Sequence, residues 1–241
     1  MEFEGSTKAK SRVPVCVVAC ICSWQFLIGC ATPNVDRLST FSQAQIQETA
    51  AQKGDWFDVK ASRLGAKCLK DLFGTEKVSK GLTVYWVTLA MTGSTGAELI
   101  RNQISLTAEG REYYPVAPGR VAYIAKTETS GAASLAFISP VIALAAMEGV
   151  RSANEKRNDW TGTGALPETA TLQAETQVSG FLYFEVLPSK SNARTGADIV
   201  NDFQLAIPLK VGDRVDSVRL TNIPEVNPTF EKEEKGDAKS K

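Results

Sequence analysis

Val178-Ser179-Gly180-Phe181-Leu182-Tyr183-Phe184-Glu185-Val186-Leu187-Pro188 is the stretch on which the reading of the fold turns. Aromatic and β-branched residues follow one another without a helical stripe, Pro188 stops the run, and a polar loop over residues 189–196 comes next. Such a segment is a strand. The same composition returns in Gly81-Leu82-Thr83-Val84-Tyr85-Trp86-Val87-Thr88-Leu89, bounded by glycine and by Thr92-Gly93-Ser94-Thr95-Gly96. Between them, residues 102–108 alternate polar and apolar, and Glu109-Gly110-Arg111-Glu112 turns the chain into Tyr113-Tyr114-Pro115-Val116. Residues 121–125, 203–209 and 216–221 read as further strands. Short strands punctuated by turn residues, interrupted once, predict a mainly β fold: an antiparallel β-sandwich in which residues 82–89 and 181–187 are not joined as a parallel crossover pair.

Two regions depart from that pattern. Residues 36–53 are rich in Gln, Ala and Glu around Phe41, Ile46 and Ala50, with Ser42 as a cap. Farther on, Leu64, Cys68, Leu69 and Leu72 recur at helical spacing before Gly74. Both are expected to form an N-terminal helical region. Residues 130–150 are almost wholly apolar and then give way to a polar run, which predicts one inserted helix over about 132–158, kinked or begun at Pro140 with Ser139 as cap. Ser134, Ser139, Pro140 and Glu148 weigh against a transmembrane span. Burial against a sheet, or docking on a partner or a membrane surface, both stay open. The division expected is a signal peptide over 1–29, a tether and helical region over 30–80, a sandwich over 81–226 carrying the inserted helix, and a disordered charged tail over 227–241.

The leader carries the clearest address. Lys8, Lys10 and Arg12 precede an apolar run that closes on Leu27-Ile28-Gly29-Cys30, the layout of a secretory signal. This ending resembles the lipobox of bacterial lipoproteins. The resemblance implies cleavage before Cys30, lipidation of its thiol, tethering in the cell envelope and, with Ala31 next, transfer to the outer membrane in a two-membrane organism. The long strand, the turn into Tyr113-Tyr114-Pro115, the insertion and then Gly180-Phe181-Leu182-Tyr183-Phe184-Glu185-Val186-Leu187-Pro188 resemble the immunoglobulin-like domains of exported bacterial lipoproteins. No antibody-type cysteine pair is present, so only the general sandwich carries over.

Composition excludes several chemistries. Lys plus Arg and Asp plus Glu each number 27, which leaves no basic excess for nucleic acid. Histidine is absent, which removes imidazole triads and histidine zinc sites. After loss of the leader and lipidation of Cys30, Cys68 is the remaining thiol, expected as a small buried hydrophobe. Asp55, Asp58 and Asp71 are expected on solvated helix faces rather than around a metal, and Thr161-Gly162-Thr163-Gly164 as a loop rather than a phosphate cradle. Trp56, Trp86 and Trp160 are expected in core and loop packing. No cofactor and no catalysis are expected. The function expected is structural or protein-interacting, with an envelope partner meeting Ile142 and Met147; the alternative is a binding protein for an apolar small molecule.

Overall fold

The computed structural model describes residue 41 and residues 45–46, 48–94, 96–128, 140–186 and 203–228, the Ile142 side chain excepted. The two strands that the sequence marks most strongly are neighbours in its first sheet. Strand β3 (Thr83–Met91) pairs antiparallel with β8 (Gln177–Phe184), Tyr85 opposite Leu182 and Val87 opposite Gly180. β2 (Phe57–Leu64) takes the other edge of β3, and β1 (Ala50–Lys53) pairs antiparallel with β2. The short β11 (Glu225–Val226) runs parallel to the end of β2.

The second sheet is built on β9 (Gln204–Val211), with β10 (Arg214–Leu220) on one edge. Its other edge is shared by β4 (Ala97–Ile100) and β5 (Ser105–Ala108), which in turn pair with β7 (Thr169–Leu172) and β6 (Arg111–Tyr113). From Leu99 opposite Leu209 to Ser105 opposite Ala206 the chain advances six residues against three. The surplus coils into the 3-10 turn Arg101–Gln103, so β4 and β5 are two lengths of one interrupted edge. Glu109 and Gly110, both at positive φ, close the β5–β6 hairpin as the two-residue turn that the strand twist favours.

Side-chain alternation explains why β3 and β8 read as continuous apolar runs. Tyr85, Val87, Leu89, Leu182 and Phe184 enter one core with Leu99, Leu106, Leu205, Ile207 and Leu209 of the second sheet. Val84, Trp86, Phe181 and Tyr183 enter another, covered by α1 (Ala66–Phe73), α2 (Lys77–Gly81) and α3 (Pro118–Ala125). β3 and the second half of β8 are thus covered on both faces, and residues 84–87 and 181–184 have no solvent side to carry polar residues. The result is a mainly β sandwich with a helical layer on one outer face.

Several local expectations are corrected. Residues 50–53 and 57–64 are strands, not helix; sheet pairing overrides the helical propensity of Ala, Gln and Lys. The apparent repeat of Leu64, Cys68 and Leu72 joins a strand end to a helix across Gly65. Residues 121–125, expected as strand, lie in α3: Pro118 opens the helix, and Val121 and Ala125 are buried one turn apart. Residues 161–164, expected as a loop, are the last turn of α4 (Pro140–Gly164), which runs six residues beyond the expected end at 158; residues 132–139 of the expected helix lie outside the described residues. Gly74, in the left-handed region, ends α1 with its N–H donating to Lys70 O. The start of α1 is tied to the far end of the chain: Cys68 N–H donates to Asn227 Oδ1 at 3.3 Å, and Gly65 leaves the space that the Asn227 side chain occupies.

The chain divides into two compact units, and α4 passes from one to the other: residues 140–151 belong to the first, while the sheets, α1, α2, α3 and residues 152–164 belong to the second. No helix among the described residues is long and apolar enough to cross a membrane. Cys30, Ser42 and Ser139 lie outside the described residues, as does most of the expected tail.

Candidate functional site

An α-helix begun by proline and rich in alanine shows its neighbours through the spacing of its buried residues. In α4, Ala143, Val150, Ala153, Arg157 and Thr161 are buried at steps of three, four and seven, one stripe of the helix. Val141, Leu144 and Met147 recur at steps of three on a different face and are 66%, 67% and 37% exposed. They are half of the six large hydrophobic residues exposed among the described residues, gathered within seven positions. Scattered apolar residues need no explanation, whereas these three are gathered on one exposed stripe of the helix. Met147, expected to meet a partner, belongs to it. Ile142, the other residue expected there, lies in the same turns, with its side chain outside the described residues. Val141 and Leu144 carry no distinguishing mark in the sequence, because an almost uniformly apolar run does not show which face is left open.

Cys68 is fully buried in the helical layer with Leu69 and Leu72. Burial, helped by the charge of Asp71, pushes its thiol up to about 12. It therefore remains protonated at neutral pH and behaves as the small hydrophobe expected. At pH 8 native Cys68 should react with a thiol reagent about a thousandfold more slowly than in denaturant, since three pH units separate 12 from the ordinary 9. A thiol pKa raised by folding also stabilises below pH ~9, and that contribution disappears as pH rises from 9 toward 12. Comparing urea midpoints of wild type and Cys68→Ala between pH 7 and 10 reads its onset: wild type alone should begin to lose this increment above pH ~9, and equal slopes would contradict the assignment.

The three aspartates do not converge. Asp55 precedes β2, Asp58 lies on β2 with Lys60 Nζ at 3.7 Å, and only Asp71 is helical. Among the described residues no group of three His, Cys, Asp or Glu side chains is placed to hold a metal. Trp86 packs edge-on against Phe181, Trp56 against Phe57, and Trp160 against the helical-layer core. A shallow cleft of about 270 Å³ lies beside Gly96, Ala97, Glu98, Thr171, Lys210 and Gly212, where Lys210 Nζ stands 3.8 Å from Glu98. It is open to solvent and crossed by an ion pair, unlike a pocket that surrounds an apolar ligand.

Neither a family model nor a curated protein matches this chain. Two solved structures are distantly similar. A candidate lipoprotein of Bacillus subtilis aligns with 73% of this chain and 39% of its own, at 12% identity and a TM-score of 0.35. A functionally unknown protein of Listeria monocytogenes aligns with 75% of this chain and 86% of its own, at 9% identity and a TM-score of 0.32. The chain thus spans well under half the length of the Bacillus protein. Likeness at this level carries no argument about what the chain does.

Proposed function

We propose that this chain is a lipid-anchored protein of the cell envelope that acts by contact with another envelope protein rather than by catalysis. The observation that carries the reading is the exposed stripe of Val141, Leu144 and Met147 on α4. The Leu27-Ile28-Gly29-Cys30 ending supports the anchor, and Ala31 supports outer-membrane placement where the organism has two membranes. A tether raises the local concentration of any partner in the same membrane, so a small apolar contact suffices for association. Each apolar side chain covered at an interface contributes about 1.5–3 kcal/mol, or roughly tenfold or more in affinity.

Val141 and Leu144 are exposed, so changing both to Asp leaves the folded core intact. The double variant Val141→Asp/Leu144→Asp is expected to keep its thermal transition and its membrane fraction, while the complex recovered after crosslinking in intact cells falls about tenfold or more. Unchanged recovery in the folded variant would remove the contact role from this face.

A further inference from the structure

Beyond its apolar contacts, α3 is held by a set of polar side chains with an unusual balance. Asn154 treats Thr127 as a strand would: its Oδ1 accepts from Thr127 N–H at 3.0 Å, and its Nδ2 donates to Thr127 O at 3.1 Å. Arg157 Nη1 donates to Ala125 O at 2.9 Å, Thr127 Oγ1 at 3.2 Å and Asn154 Oδ1 at 2.9 Å. Arg157 is 2% exposed and its Nε has no hydrogen-bond partner. Among the described residues it pairs with no carboxylate, and burial holds its guanidinium below the usual range. Lys77 adds exposed contacts to Lys126 O and Glu128, which solvent weakens.

We propose that Asn154 and Arg157 form a latch that sets how often the end of α3 opens. The guanidinium is buried on neutral oxygens, two of which belong to residues 125 and 127. When that segment lifts away, a buried cation loses those acceptors, so opening is resisted by more than the loss of ordinary packing. Closing restores the four hydrogen bonds to residues 125 and 127 together, which makes the segment two-state rather than frayed. The latch does not depend on the contact role proposed for Val141, Leu144 and Met147.

Hydrogen exchange on the full-length protein tests this. Arg157→Met keeps the volume and removes the donors, and Asn154→Leu, at a partly exposed position, removes the Thr127 pair together with one of the three Arg157 acceptors. In both, amides over residues 121–128 are expected to exchange about tenfold faster or more, while those of β3 and β8 change less than about threefold. Arg157→Lys, with charge retained but no planar fork, should also open the segment. Unchanged exchange over 121–128 in either of the first two variants would overturn the latch. So would equal acceleration of 121–128 and the central strands, which marks general destabilisation, or full protection in Arg157→Lys, which assigns the effect to charge alone.

Discussion

Gly180→Ala is expected to cost about 3 kcal/mol or more of unfolding free energy, at or above the upper end for overpacking. A Cβ at this position would stand 2.5 Å from Leu166 N, 2.7 Å from Leu166 Cα and 2.8 Å from Ala165 C. These are backbone atoms and cannot rotate aside. They are also where the chain leaving α4 crosses the edge of β8: Ala165 bridges Phe181, and Leu166 N–H donates to Phe181 O at 2.9 Å. Leu166 belongs to the inter-sheet core and Ala165 to the helical-layer core, so displacing the crossing disturbs both. A domain stability of about 5–15 kcal/mol makes such a loss large. Gly162→Ala is the internal comparison, because it is helical and nothing lies within 4 Å of its added methyl; a gain of about 0.4–1 kcal/mol is expected. Denaturant midpoints measure both, and a Gly180→Ala protein as stable as wild type would show that the crossing can move.

Cys30→Ser is expected to transfer the protein from the membrane pellet to the soluble fraction, or to leave an unprocessed precursor. The reason is chemical: only a thiol accepts the diacylglycerol group, and serine offers none. Each buried methylene of an acyl chain contributes about 0.8 kcal/mol, so the loss of two or more chains leaves little to hold a folded body on a bilayer. Fractionation with an antibody to the mature domain, and mass spectrometry of the N-terminal peptide, check this. An unmodified Cys30 in membrane-bound wild type would end the lipoprotein reading.

Legibility differs between elements for physical reasons. β3 and β8 are plain in the sequence because residues 84–87 and 181–184 are covered on both faces and carry apolar or aromatic side chains toward both cores. β1 is not. It is an edge strand with alternating half-buried and exposed residues, and Ala50-Ala51-Gln52-Lys53 has helical propensity that only pairing to β2 overrides. α3 reads as strand because Val121, Tyr123 and Ile124 are β-formers; Pro118 and the burial of Val121 and Ala125 make it helix.

The exposed face of α4 shows the same divide. Residues 130–150 alone predict an apolar helix near Pro140 with Ile142 and Met147 as expected contact residues. Which of its apolar residues stay open is decided by burial of Ala143 and Val150, leaving Val141, Leu144 and Met147 exposed. The latch of Asn154 and Arg157 has no sequence signal, because a polar residue in a polar run looks solvated until a distant backbone meets it. The sequence by itself determined strands β3 and β8, the presence of a helix after Pro140 and the lipobox resemblance, since propensity, proline placement and a linear motif act over a few residues. Only the tertiary structure decided the sheet partners of β1 and β2, the helical layer, the close crossing at Gly180 and the open face of α4. Each of these depends on which remote segment covers a given side chain, and no local pattern carries that information.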